Sequence, residues 1–476
     1  DGRELIKNGM PTPINIYDTM ILAYCLGLGK QAPKDDTKKK SGSDMVGGLG
    51  LKYLARRHLG MRMKRWDEIK DHPEEVPEYN ANDSVATFLL AEKWLPIAPK
   101  HYFEIDMPLL PVLMAMEDRG IQIDPAFLKI YAEELNNKLT SFNLPLNPHA
   151  TQEIQSYVYG TLGIEPWKFT DTGAPSVEAE VLEAIHDPVV EQLLAYKDIY
   201  QDKETYAENY IRFRDENDRI HPEYKQVSTS TGRLSCARPN LQNVDKEGNM
   251  RKLFIARPGC KLVRVDYDQL EWRVLAAVTQ DPTLLKALER GKKIHQVTAE
   301  QLGIDYDKAK TVNFGIIYGE QAWGLAQTLG MTIGKAREFL AEYFKRFPGI
   351  KKYQEQMREI ALSEKKVTNY FGRTRRIDAM YVEQWRIREE GIKEAINMPI
   401  QGAGGEICKL AMIDLHHKHS APLVLQIHDE LLFEVDEKYA EEYAQWLKGY
   451  IPSLVEINGV KFLVDTKVGN NWKECS

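Results

Sequence analysis

Cysteine is scarce: five in 476 residues, at Cys25, Cys236, Cys260, Cys408 and Cys475, with no CxxC pair among them. That spacing argues against a zinc site and a disulfide framework, and fits a reducing compartment. No apolar run approaches the roughly 20 residues that span a bilayer, so a soluble, intracellular chain is expected. Bulk positive charge is missing too. The net charge is −7, the wrong sign for a protein that coats an anionic polymer by charge alone. There is no secretory signal, and the opening DGRELIKNGM reads like the interior of a domain, so the natural start is expected upstream. The length accommodates about three domains.

Positive charge is present locally. Between Lys335 and Arg376 there are twelve Lys or Arg against five Asp or Glu. Such a stretch is either a solvated helix face or a basic surface on one part of an acidic protein.

The stretch KLVRVDYDQLEWR, Lys261 to Arg273, changes period halfway. Leu262, Val263, Arg264 and Val265 suit a strand, and the second half, continuing as VLAAV, has helical spacing. Asp266 then stands at a strand end, where a rigid element can present a metal ligand. In PLVLQIHDELLFEVD, Leu423, Leu425, Ile427, Leu431, Phe433 and Val435 alternate on one face and His428-Asp429-Glu430 interrupts them. This reads as a hairpin with acids at its tip. Either Asp266 and Asp429 merely end strands, or they face each other. In the second case one would take up a proton unless cations sit between them, and a divalent pair suits phosphoryl displacement.

Elsewhere, Asp124-Pro125 signals a helix start, followed by an inward stripe of Phe127, Tyr131, Leu135 and Leu139. STSTGRLSCARPNLQNV mixes short neutral donors with Arg233 and Arg238, which suits either a polar turn cluster or phosphates and base edges. In KTVNFGIIYG, Lys310, Phe314 and Tyr318 lie at roughly 0°, 40° and 80° on a helix, one face carrying a cation and two rings. A core stripe would not want the lysine in line. Gly315 and Gly319 would thin that helix and permit close approach.

Taken together and in order, DYDQLEWR, KTVNFGIIYG and the HDE hairpin resemble the three polymerase motifs of family A DNA polymerases, the bacterial DNA polymerase I group, and the similarity runs along nearly the whole chain. The resemblance implies an α+β multidomain right hand with an N-terminal α/β, ribonuclease H-like 3′→5′ exonuclease portion. Its divisions would be a partial exonuclease-like unit (1–98), an approach to the palm (99–124), thumb (125–215), palm (216–280), fingers (281–395) and palm again (396–476). It implies DNA-directed DNA synthesis by a two-metal mechanism with Mg²⁺, for which Mn²⁺ can substitute. The partners would be primer-template DNA and deoxynucleoside triphosphates, and the chain a monomer.

By the same resemblance, Asp266, Asp429 and the Tyr267 carbonyl hold metal, with Glu430 a supporting acid. Lys310, His295 and Gln269 take the triphosphate. Glu271 closes the space a 2′-hydroxyl would need, Phe314 selects against dideoxy sugars and Tyr318 stacks near the templating base. Arg233, Asn240, Gln242, Asn243, Arg251 and Gln401 line the duplex, His428 meets the primer end, and Arg373 and Arg375, in NYFGRTRRI, clamp the backbone. Tyr79 and Asp83 match the third exonuclease motif and Asp1 the second, while the first, a DxE pair, has no counterpart.

One departure stands out. The family carries an arginine one turn before the lysine, but Tyr306 stands there, and the span from His295 to Lys310 is shorter than usual. Either that ligand is lost or a segment near Asp305 and Tyr306 is absent, and the shortened spacing favours the second. Rival readings are a chain that is chiefly an exonuclease, which the missing DxE disfavours, and a DNA-binding scaffold, which the joint presence of Asp266, Asp429, Lys310 and Glu271 disfavours. Synthesis on an RNA template is a variant of the main reading.

Overall fold

The computed structural model describes residues 16–28, 48–170, 172–204, 209–246 and 249–476. Its central sheet has four antiparallel strands: β1 (Cys260–Tyr267), β2 (Leu423–Ile427), β3 (Glu430–Asp436) and β4 (Val464–Gly469). Their order across the sheet is β4-β1-β3-β2. The long β3 lies along the whole of β1, from Glu430 opposite Asp266 to Asp436 opposite Cys260. The hairpin foreseen around Asp429 is therefore present, but not as a ribbon with one wet face. Every residue of β2 is buried, as are the first five of β3, because helices and the chain terminus cover both sides of the sheet. The terminal turn Trp472–Cys475 seals the side bearing Leu262 and Arg264: the Arg264 guanidinium donates to the Cys475 carbonyl and the Cys475 thiol to that of Leu262.

Beyond β1 the chain enters helix α1 (Leu270–Thr279), then α2 (Ile294–Leu302) and α3 (Tyr306–Ile317). The short link between α2 and α3 closes as a complete turn. Gly303 ends α2 in the left-handed conformation, and the Asp305 carboxylate accepts the Lys308 backbone N–H at 2.8 Å to cap α3. Tyr318 caps α3 and Gly319 follows at φ +75°, so Gly319 terminates the helix rather than thinning it. A Cβ on Gly319 would also stand 3.0 Å from the Ile396 side chain.

A long helix, α4 (Trp385–His419), runs through the centre, with eighteen of its residues buried. Its GAGG run is explained by neighbours. A Cβ at Gly402 would meet the Thr231 carbonyl at 2.8 Å, and one at Gly405 the Arg233 side chain at 3.2 Å. Small residues there let the Ser228–Val244 loop lie directly on the helix. Toward the N-terminus, Asp124 caps the helix Pro125–Ser141 by accepting from Ala126 and Phe127, with Leu135 buried and Phe127 and Tyr131 packed on the main core.

Among the described residues, apolar packing divides into three cores. The largest runs from Leu109 to Cys475, a second joins Ile21 to Tyr102, and a third joins Ile154 to Leu193. The first two meet across a buried charge network. Arg373 grips both Asp106 oxygens at 2.6 and 2.8 Å and also donates to Glu406. His101 lies 2.8 Å from Asp106, and Lys409 lies 3.6 Å from it. Burial would raise Asp106, but Lys409, the His101 hydrogen bond and Arg373 outweigh it and hold the carboxyl well below its ordinary range. Folding thus gathers Cys25, His101 and Asp106 within 4.8 Å of one another, a cluster that spacing along the chain could not reveal. With two cations already on Asp106, the cluster does not call for a metal.

Removing one member of such a network strands the others in low dielectric, at a cost of about 3–5 kcal/mol. Arg373→Ala is therefore expected to lower the denaturant midpoint strongly and Arg373→Lys less. Unfolding within 0.5 kcal/mol of wild type, on the order expected of an inert surface change, would show that the network does not join the two cores.

Candidate active site

Strand register brings the acids together. Asp266 lies between Glu430 on β3 and Asp465 on β4, and residues opposite one another in an antiparallel sheet share a face. At the β2–β3 turn, His428 adopts φ +54°, as a two-residue hairpin requires at its first position. The turn is tied to β1 where the Tyr267 N–H donates to the Asp429 carbonyl at 3.2 Å. The Tyr267 ring is buried, leaving its backbone beside both aspartates.

The acids are compensated very differently. Glu430 is buried, bonded by Arg251 to both oxygens at 3.2 Å and by the Trp472 indole N–H at 2.5 Å. Asp465 pairs with Lys448 at 3.2 Å. Asp266 is held by Arg264, with Lys246 at 3.6 Å. Asp429 has no ion pair among the described residues, and burial followed by the Asp266 charge pushes its carboxyl up to about 6. A half-buried carboxylate facing another without a cation of its own is a donor set that fits a divalent ion. Glu430, committed to Arg251 and Trp472, is a positioning group here.

Facing the acids is a cluster of polar and aromatic side chains. Glu271 on α1 accepts from Arg233 at 2.6 Å and, through its other oxygen, from the Tyr318 hydroxyl at 3.4 Å. Burial and the Glu271 charge push the Tyr318 phenol up to about 12. Phe314 and Tyr318 stack with centroids 6.4 Å apart, and His295 tilts against Phe314 at 5.3 Å. Both rings are partly exposed and Lys310 is exposed, so this face of α3 is not a core stripe. His295 is fixed by Asn313, whose amide lies 3.0 Å from Nδ1 and which also bonds Thr298 and Tyr343. Burial, then Lys310 and Lys293, holds the imidazole down at about 4. At neutral pH His295 is uncharged, and with Asn313 donating to Nδ1 its proton sits on Nε2. The Gln269 carbonyl oxygen accepts from the Ile294 N–H at 2.7 Å, locking the start of α2 to the end of β1.

The remaining sequence candidates fall in several places. The Gln242 amide donates to the Gln426 side chain at 3.0 Å, and Gln426 in turn bonds the His428 carbonyl, so the Asn240–Asn243 turn and the hairpin tip form one unit. Asn240 caps that turn, accepting from the Gln242 N–H. Gln401 is half-buried on α4 beside Gly402. Arg251 is buried under Glu430 and lies 4.1 Å from the Trp472 ring. Arg375 pairs with Glu394 at 2.6 Å. Arg373, buried in the network described above, is no exposed clamp. Asp83 is paired by Lys52, which also lies 4.0 Å from the Tyr79 ring. Asp1 lies outside the described residues. Sequence reasoning missed Trp472 and Asn313, whose partners Glu430 and His295 lie 42 and 18 positions away, and Arg264, whose pairing with Asp266 two residues on was hidden by reading it as one residue of a strand.

Comparison with known proteins places this arrangement. The POL domain of Pol1 from M. smegmatis, solved in complex with DNA primer-template and dNTP, superposes with a TM-score of 0.84 at 24% identity over 99% of this chain and 84% of that one. The fold is thus that of a multidomain α+β polymerase. A family model, DNA polymerase family A, matches residues 127–474. DNA polymerase I of Chloroflexus aurantiacus is 34% identical over 505 aligned positions, 97% of this chain and 52% of that protein. Its counterpart from Pseudomonas aeruginosa is 30% identical over 512 positions, 98% of this chain and 54% of that one. The chain belongs to DNA polymerase family A, and it spans about half the length of these relatives. No helix among the described residues is long and apolar enough to cross a membrane.

The raised Asp429 carboxyl has a consequence of definite sign. An acid whose folded value lies above its unfolded one stabilises the fold while protonated, and that contribution disappears as pH rises through about 6. Asp429→Asn is therefore expected to raise the melting temperature of the metal-free protein at pH 7.5 and to flatten its pH dependence between 4 and 7, read by thermal unfolding in chelator. A lowered melting temperature at pH 7.5 would contradict the assigned repulsion.

Proposed function

We propose that this chain is a template-directed DNA polymerase that adds deoxynucleotides to a primer 3′ end. The observation that carries the reading is the meeting of Asp266 with an uncompensated Asp429, beside Glu271 and the Lys310-Phe314-Tyr318 face. Primer-template DNA and deoxynucleoside triphosphates would be its substrates and the working unit a monomer.

Asp266, Asp429 and the Tyr267 carbonyl would hold divalent cations, two Mg²⁺ or Mn²⁺ in their stead. When bound, these would acidify the primer 3′-hydroxyl and neutralise charge on the leaving pyrophosphate. The protein's own groups do the rest. Lys310 neutralises phosphate oxygens, and neutral His295 donates one hydrogen bond from Nε2 without adding charge. Phe314 packs against the sugar and Tyr318 stacks near the templating base. The Gln242–Gln426–His428 unit meets the primer end, and Arg233, Asn243 and Gln401 the duplex. Glu271, held at one oxygen by Arg233 and approached at the other by Tyr318, fills the position a 2′-hydroxyl would need. A ribonucleotide entering there would bury that hydroxyl unpaired, at about 1–3 kcal/mol.

The test is primer extension on a 5′-overhang duplex with Mg²⁺ and four deoxynucleotides. Wild type is expected to copy the template, and Asp266→Ala to slow by about a thousandfold, ~4 kcal/mol of lost transition-state stabilisation. A near-normal rate in that variant would sink the proposed site. For Glu271→Ala, competition between ribo- and deoxynucleotides is expected to shift roughly tenfold toward ribonucleotides, and unchanged sugar choice would refute the gate.

A further inference from the structure

We propose that Lys293 is a second cationic ligand for the phosphates of the incoming nucleotide, an assignment that rests on the polymerase reading above. The need is visible in the charges around α3. Tyr306 occupies the turn before Lys310, and neutral His295 brings a donor but no charge. Three other cations near this face are already paired: Lys292 with Glu300 at 2.9 Å, Lys308 with Asp305 at 3.1 Å and Arg233 with Glu271 at 2.6 Å. Lys293 is exposed and has no ion pair among the described residues. It and Lys310 are the two lysines whose charge reaches His295, so both ammonium groups act on the same ring.

The geometry fixes where Lys293 acts. It is the residue at the mouth of α2, with extended backbone at φ −73° and ψ 130°. The Gln269 side chain locks that mouth to the end of β1 by accepting from Ile294, three residues after Asp266. Two residues beyond Lys293, His295 is only 9% exposed, yet only its Nδ1 finds a polar partner among the described residues. An imidazole N–H with no acceptor among the described residues, within electrostatic reach of two ammonium groups that have no ion pair among them and at the positive end of a helix, fits an anion. A nucleoside triphosphate has oxygens enough to take all three donors. Lysine suits the task because its ammonium is a mobile point charge that can follow the phosphates.

The experiment measures binding without chemistry: affinity of the next complementary deoxynucleotide for the protein on a dideoxy-terminated primer-template, by fluorescence titration. Lys293→Ala is expected to weaken nucleotide binding about tenfold, the scale of one lost charge-assisted hydrogen bond. Primer-template affinity and melting temperature should stay at wild-type values. Lys293→Arg should recover most of the loss, and Lys292→Ala should bind as wild type does. Nucleotide affinity within twofold of wild type in Lys293→Ala would overturn the assignment. So would a loss that arginine does not restore, since charge would then not be what the nucleotide feels. If wild type itself bound no complementary nucleotide on this duplex, the polymerase reading would fall and Lys293 with it.

Discussion

The register between β1 and β3 is the constraint on which the rest depends. With Glu430 opposite Asp266 and the Tyr267 N–H on the Asp429 carbonyl, both aspartates arrive at one end of the sheet. A slip of one residue would turn every side chain of the strand to the other face. The register is protected by burial: Val263, Val265, Leu431 and Phe433 pair across the two strands on one face and are all fully buried, so a one-residue slip would turn one strand's pair away from the other's. Apolar packing thereby sets the position of a polar site.

Charge is then allotted acid by acid. Glu430 receives Arg251 and Trp472, Asp465 receives Lys448, and Asp266 receives Arg264, whereas Asp429 receives no cation of its own among the described residues. Leaving one half-buried carboxylate beside another costs stability, a cost natural proteins tolerate where a ligand will offset it. The same economy governs the facing helices. Asn313 spends its amide on orienting His295, and Arg233 spends its charge on Glu271, so both side chains are fixed by hydrogen bonds from neighbouring elements.

Much of this was legible in the sequence. The change of period inside KLVRVDYDQLEWR marks the strand-to-helix passage around Asp266, the HDE interruption marks the hairpin, and Asp124-Pro125 marks a helix start that the structure caps through Asp124. These are local signals, in which a few consecutive residues carry the physics. What escaped is long-range. Arg251 finds Glu430 179 positions away and Arg373 finds Asp106 267 positions away, and without those acids in view both arginines read as exposed cations. The hairpin was foreseen with one buried face because alternation in sequence does not reveal a helix packed on the second. The link between α2 and α3 is closed by Gly303 and by the Asp305 cap, details that the shortened spacing did not reveal.

The central claim is that Asp266 and Asp429 form a divalent-cation site whose geometry the sheet imposes. Mn²⁺ binding, followed by electron paramagnetic resonance on the protein with primer-template DNA, tests it most directly when Asp266→Asn and Asp429→Asn are set beside Asp465→Asn, the neighbouring acid already paired to Lys448. The account predicts that the first two variants lose tight Mn²⁺ binding while the third retains it. Wild-type Mn²⁺ affinity in either of the first two, or its loss in the third, would contradict it.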